Sequence, residues 1–462
     1  MCVGPPISMR MTHCHRRYRV SPPITHLVAV ALAVCAFLSS PVAAQSAYEQ
    51  EPINYNTAAA TDPVARLQAE IDSGRATLDH DDRHGYLASL LARLNVPVSS
   101  QTLVFSKTSF QREQIAPETP RALYFNDDSY VGWVQGGDML EVASADPNLG
   151  TVFYTLDQRK ASEGVRPRFV RQTDSCLQCH GSTMTDDVPG LLVRSVHTDP
   201  TGMPVLTAGT ALVTQETPLE QRWGGWYVTG THGEHRHKGN VVARHRDDDG
   251  PLDVEAGANR TDLSGRFDPS RYLGGGHSDI VALMVREHQA EAHNLLTKAG
   301  FQARWAMRDS QAINDALGTS GGELTDSARR RIHNAGERLV KYLLFCDEEL
   351  LTDRIAGTST FAADFAARGP RDSKGRSLRD LDLRKRMFRY PLSYLVYSAA
   401  FEGLPAPVKD HVYRRLFEVL SGQDRSKAFS HLSTDDRRAV LEILRETKPD
   451  LPEYFKGPEG AS

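Results

Sequence analysis

Cysteine is scarce: six occur in 462 residues, and Cys2, Cys14 and Cys35 all precede residue 45. The three that follow, Cys176, Cys179 and Cys346, cannot form a disulfide framework, so a hydrophobic core must hold the fold together. Charge of one sign is not in excess either. The 54 basic and 58 acidic side chains leave a formal net charge of −4, which gives no electrostatic case for binding nucleic acid or an anionic lipid surface. No apolar run approaches the roughly 20 residues needed to cross a bilayer; the longest extends from Leu27 to Leu38. Internal repeats and low-complexity tracts are lacking as well, which excludes solenoid and disordered classes. What is present, 40% hydrophobic and 24% charged residues, is the composition of an ordinary globular chain.

The N-terminus places Arg10, Arg16, Arg17 and Arg19 before that apolar run, and Val42-Ala43-Ala44 after it. A basic region, a short apolar segment and small residues in this order describe a secretory signal peptide over 1–44, cleaved near Ala44. The expected location is then the periplasm, with no integral membrane span in the mature chain. An uncleaved anchor is the competing reading, and the shortness of the run speaks against it. Residues 45–62 are small and polar, the composition of a mobile linker.

Residues 63–266 read as a mixed, sheet-rich region. Helices are expected over Pro63 to Ser73 and Gly85 to Leu94, where Leu87, Leu90, Leu91 and Leu94 share a face. Strands are expected at Leu123 to Phe125, Tyr130 to Val134, Leu140 to Ala143, Val152 to Leu156 and Trp226 to Thr229, together with a hairpin that joins Leu191–Val196 to Met203–Leu206 through Asp199-Pro200-Thr201-Gly202. From His277 the period changes to that of helices. Residues 277–456 are expected to be α-helical, with helices over Asp326 to Leu351, Leu378 to Arg389, Leu392 to Phe401, Val408 to Leu420 and Thr434 to Thr447. The expected fold class is α+β.

One motif carries chemistry. Cys176-Leu177-Gln178-Cys179-His180 supplies two thiols spaced for the two vinyl groups of a haem and, directly after them, an imidazole placed to reach the iron. The implied cofactor is one covalently attached haem c, with His180 as the proximal ligand. A redox-active dithiol, half of a zinc site and a local disulfide compete with it. The first is expected to open a helix after a buried strand, whereas Arg171 to Gly181 reads as a loop-like stretch, and the second needs a fourth ligand where only Cys346 remains.

The other side of the iron is open in the sequence. His288 is the one polar member of an apolar helical stripe made by Val281, Met284, Val285, Ala292 and Leu295, and a buried imidazole needs a partner. His232 follows the aromatic and glycine-rich stretch Trp223-Gly224-Gly225-Trp226-Tyr227, whose flat rings suit a haem face. His288 or His232 is therefore the candidate distal ligand, against the plainer reading of a satisfied core histidine and a glycine-rich turn. Cys346 lies on a stripe with Leu339, Leu343 and Leu350 and reads as a packed thiol. The basic group Arg379, Arg384, Lys385, Arg386 and Arg389 is either a dock for an acidic redox partner or a wet helix face.

These residues also carry a resemblance. Ser106-Lys107-Thr108-Ser109, Arg121 to Asp127, Phe153 to Asp157, Cys176 to His180, Arg222 to Gly233, Glu287-His288-Gln289, His293-Asn294 and Leu451 to Phe455 resemble segments of a family of large exported mono-haem c-type cytochromes. The resemblance implies haem binding and electron transfer with a redox partner protein. Two other classes stay open beside electron transfer: a haem-dependent oxidoreductase or peroxidase-type enzyme with an open distal site, and a haem-based sensor module.

Overall fold

Alternation of side chains between residues 102 and 172 folds into six strands: β1 (Thr102–Val104), β2 (Arg121–Phe125), β3 (Ser129–Trp133), β4 (Met139–Asp146), β5 (Gly150–Asp157) and β6 (Phe169–Gln172). They form one antiparallel meander in which each strand pairs with its neighbours in sequence. In this computed structural model residues 46–456 are described, apart from 163, 247, 320 and 321; the signal peptide expected over 1–44 lies outside the described residues.

The period of two gives the sheet two different faces. Tyr124, Val131, Val142 and Tyr154 share an apolar cluster with Val64 and Leu67 of helix α1 (Pro63–Asp72) and Leu90 and Leu91 of α2 (Leu87–Arg93). The other face carries Leu123, Tyr130, Ala143 and Phe153, brought side by side by the register that pairs Leu123 with Gly132, Tyr130 with Ala143, and Ala143 with Phe153. A single helical turn, α3 (Leu177–His180), follows β6, and a short ribbon of β7 (Arg194–Val196) and β8 (Thr210–Leu212) comes after it.

The helical part is built on α4 (Ile280–Leu317), a helix of 38 residues. The Asp279 carboxylate caps its start, accepting from the Val281 and Ala282 amides at 2.8 and 3.3 Å. Its first half is buried all round, Glu287, His288 and Gln289 included, so it is a core helix and not an amphipathic surface one. Around it lie α5 (Asp326–Leu343), α6 (Phe361–Ala367), α7 (Ala406–Leu420) and α8 (Thr434–Thr447). The architecture is α+β, with the antiparallel sheet in the N-terminal half and helices in the C-terminal half. Among the described residues no helix is long and apolar enough to cross a membrane.

Several segments depart from expectation. Within the expected mobile linker, Tyr48, Ile53 and Tyr55 are buried, and the Tyr55 hydroxyl donates to the Thr151 carbonyl at 2.8 Å; three large apolar groups outweigh the polar average of that stretch. The turn at Asp199–Gly202 forms, with the Gly202 amide donating to the Asp199 carbonyl at 3.0 Å, but β7 pairs regularly with β8 and not with Met203–Leu206. Trp226 to Thr229 makes only isolated bridges, from Trp226 to Val104 and from Thr229 to Asp279. Residues 378–389 are not helical: the Asp382 carboxylate binds the Arg384 and Lys385 amides at 2.9 and 2.8 Å, and Leu381 bridges Phe388 across that turn. Local side-chain bonds of this kind compete with a helix. The segment expected as a helix over Leu392 to Phe401 holds a 3₁₀ turn at Tyr394–Tyr397 and a short helix at Ala399–Glu402. Helix α5 stops at Leu343, where Phe345 and Asp347 take left-handed backbone conformations. Cys346 is nonetheless buried, and Leu350 is exposed.

Candidate functional site

Helix α3 gathers the chemistry into one turn. The His180 amide donates to the Cys176 carbonyl at 3.0 Å and the Cys179 amide to the same carbonyl at 3.3 Å, so both thiols and the imidazole project from one short helical turn. Both cysteines are free thiols. Cys179 is exposed and Cys176 half-buried, and burial pushes the Cys176 thiol up to about 11.

His180 is held at two points. Its Nδ1 lies 2.9 Å from the Gly190 carbonyl, and the Gly190 amide returns a bond of 2.8 Å to the His180 carbonyl. A carbonyl only accepts, so Nδ1 carries the proton and Nε2 keeps its lone pair, the tautomer a metal ligand needs. Burial lowers the His180 pKa to about 4, with the bond to Gly190 opposing it; the ring is therefore neutral at pH 7. It packs on Phe153 of β5 with ring centroids 4.8 Å apart.

The clamp reaches back to the core helix. Asn294 of α4 binds both backbone groups of Leu191: the Leu191 amide donates to Oδ1 at 2.8 Å, and Nδ2 donates to the Leu191 carbonyl at 2.9 Å. Gly190 makes room for this, since a Cβ there would lie 2.3 Å from Asn294 Oδ1.

Cys176, Cys179 and His180 open onto a cavity of about 390 Å³, within the range of small-molecule and cofactor sites. Its floor is the second face of the sheet: Arg121 and Leu123 of β2, Tyr130 and Gly132 of β3, Glu141 and Ala143 of β4, and Phe153 and Thr155 of β5. Arg286 and Ala290 of α4 form another wall, and Trp226 and Arg194 a third. Trp226 is fixed by its indole N–H, which donates to the Arg194 carbonyl at 2.7 Å. The segment from Ser106 to Ser109 covers part of the cavity; Ser106 is tied by its amide to the Gly225 carbonyl at 3.0 Å. Gly225 has φ +82°, and a Cβ there would sit 2.7 Å from Ser106 Cβ, so only glycine lets these two chains meet. The aromatic stretch thus lines the cavity through Trp226, while Trp223 is buried in the core with its indole N–H on Glu287 at 3.1 Å.

Neither expected distal histidine reaches this cavity. His288 is fully buried with both nitrogens engaged, Nδ1 with Gln215 Oε1 at 2.6 Å and Nε2 with Ser393 Oγ at 2.8 Å. Its ring stacks on Phe345 at 4.7 Å. His232 accepts from the Asn259 amide at 2.9 Å through Nε2 and packs on His237 at 4.8 Å. The plainer reading of a satisfied core histidine describes His288. The reason is the burial of α4 on all sides: Glu287 meets Arg222 and Trp223, Gln289 meets the Asn126 carbonyl and Tyr130, and His293 meets the Asp127 carbonyl. Gln289 and His293 thus anchor the β2–β3 turn, and Glu287 the Arg222–Trp223 segment. The basic group is divided: Arg379 pairs with Asp127 and Arg386 with Asp436, while Arg384, Lys385 and Arg389 are exposed.

The cavity residues that sequence reasoning did not single out are Arg286, Tyr130 and Glu141. No local motif marks them, because their shared position depends on strand register and on the rotation of α4. No family model, curated protein or solved structure matches the chain.

Proposed function

We propose that the chain is an exported c-type cytochrome that holds one haem in the cavity behind Cys176, Cys179 and His180, and that it transfers electrons to or from a redox partner in the periplasm. The observation that carries this reading is the coincidence of the two thiols and a neutral, Nδ1-protonated imidazole on the wall of one cavity of about 390 Å³. The residues fit the group: flat apolar surfaces at Trp226, Phe153 and Leu123, and buried guanidinium nitrogens of Arg121 and Arg286 without partners. When bound, the haem supplies a reversible one-electron couple at iron.

The chain's own residues would do the rest. Cys176 and Cys179, both free thiols, would hold the macrocycle through two thioether bonds, whose formation from S–H and vinyl groups would need no oxidant. His180 Nε2 would hold the metal, with the Gly190 carbonyl on Nδ1 keeping the ring from turning. The sheet and α4 exclude water from the inner part of the cavity. Cys179 and Phe110, both exposed at its edge, would bring a redox partner close to the tethered edge of the macrocycle. The resemblance to exported mono-haem cytochromes agrees with this reading.

A second reading has its own support. Among the described residues His180 is the one histidine lining the cavity and no methionine lines it, so the lining offers neither of the two commonest second ligands of a haem iron. An oxidoreductase or peroxidase-type enzyme needs such an open position, with Arg286 and Tyr130 near it. Visible and electron paramagnetic resonance spectra of the ferric protein, matured where haem is attached, separate the two. Low-spin iron indifferent to cyanide supports the carrier; high-spin iron that binds cyanide supports the enzyme. Absence of any haem spectrum overturns both.

A further inference from the structure

The cavity contains a charge with no partner. Arg286 is 9% exposed, lines the cavity, and has Nη1 buried without a hydrogen bond. Its guanidinium lies over the Trp226 ring, 4.9 Å from the centroid, and forms no ion pair among the described residues. Its surroundings make this unusual, because the other buried arginines are matched: Arg222 with Glu287, Arg379 with Asp127, and Arg437 with the Val419, Asp424, Phe429 and Leu432 carbonyls.

Arg121 repeats the pattern in part. It pairs with Glu141, yet its Nε is buried and unpartnered. Around the cavity stand Arg121, Arg286, Arg194, Lys107 and Arg112 against the single carboxylate of Glu141. A buried cation with no counter-charge is destabilising, and burial, followed by repulsion from Arg121, draws the Arg286 guanidinium down to about 10. At neutral pH it remains charged. Unlike Arg437 it has no ring of carbonyls around it, so an anion in the cavity would balance it.

We propose that Arg286, backed by Arg121, is the seat of a carboxylate of the bound group, a haem propionate. The inference rests on the haem reading given above. A guanidinium presents two parallel N–H bonds that match a carboxylate, and Trp226 fixes its plane from one side. A propionate arrives with the macrocycle in fixed stoichiometry, whereas a free anion has to compete with water for the same place. Held there, the carboxylate stays ionised over a wider pH range, and the iron feels a neutral pair in place of a bare anion.

The test uses the exported, haem-loaded protein and the variants Arg286→Gln and Arg286→Lys. Intact mass comes first: an unaltered protein without haem overturns the haem reading and this inference with it. With haem attached, the reduction potential is followed from about pH 5 to pH 9. The titratable and charged groups facing the site, Tyr130, Glu141, Arg121, Arg194, Lys107 and Arg112, are the same in every variant.

In Arg286→Gln the ferric form is expected to gain tenfold or more at neutral pH, about 59 mV for a one-electron couple. The pH-dependent step is expected to move upward, as the carboxylate loses its partner; Arg286→Lys should recover part of both. An unchanged potential and pH profile overturns the inference. A drop of equal size at every pH also overturns it, because that is the direct effect of a lost charge on iron without any titrating carboxylate. If acetate perturbs the Soret band of the unaltered protein and not that of Arg286→Gln, the anion comes from solvent and the propionate assignment fails. Should Arg286→Gln yield no loaded protein, the pH step of Arg286→Lys decides alone.

Discussion

Asn294 is the residue on which the geometry of His180 depends, although it touches neither thiol nor imidazole. It satisfies both backbone groups of Leu191, and Gly190 beside it holds the ring. Asn294→Ala strands a buried N–H and a buried C=O, each costing roughly 1–3 kcal/mol. A lower denaturation midpoint is expected, together with a broadened electron paramagnetic resonance signal from a loosened His180. A variant with lost stability and an unaltered signal would show that Asn294 braces the fold alone. His288 gives the opposite expectation. Burial holds its pKa down at about 3, against about 6.5 when unfolded. Between those values the unfolded chain takes up a proton that the native ring refuses, so stability falls as pH drops through that window. His288→Gln should flatten the dependence measured by denaturation at about pH 7.5 and pH 4.5, leaving the residual slope of His232, His237 and His293, which burial lowers for the same reason. The visible spectrum should not change, because His288 is engaged by Gln215 and Ser393. Sequence alone made the Cys176 to His180 motif legible, since its spacing is local. It could not separate a ligand histidine from a core one at His288, because the partners come from residues 215 and 393, which only folding brings near.

Among elements, α4 does most of the positioning. Its buried polar residues bind the β2–β3 turn, the Arg222–Trp223 segment, Leu191 and Ser393, and its Arg286 and Ala290 face the cavity. Its N-terminus is fixed by Asp279, whose carboxylate also accepts from the Thr358 and Ser359 amides at 2.9 and 2.8 Å. Asp279→Ala removes a helix cap, worth about 1–2 kcal/mol, and leaves two further amides unmatched. The expected outcome is a fall in thermal midpoint larger than that of a simple cap deletion such as Ser433→Ala at the start of α8; an equal fall would mean that the extra bonds contribute little. Strands β2 to β5 and helices α4, α7 and α8 were readable from period alone. The segments that misled were 378–389, where Asp382 bonds its own backbone, and 45–62, where Tyr48, Ile53 and Tyr55 are few but large. In both cases a handful of side chains overrode the average of the window.

For the whole molecule, the sheet, α3 and α4 converge on one cavity, and the account stands on what fills it. In the folded chain the Cys176 thiol is raised to about 11, so it is protonated at neutral pH and a weak nucleophile; haem addition to the folded protein is expected to be non-covalent, with attachment completed before the cavity closes. The most direct measurement is intact-protein mass of material exported from a host that attaches c-type haem, alongside the Cys176→Ser, Cys179→Ser double variant. The account predicts the added mass of one haem, retained under denaturing conditions in the unaltered protein and absent from the double variant. Two free thiols, or a bond between them, with no porphyrin mass on the unaltered protein would contradict it.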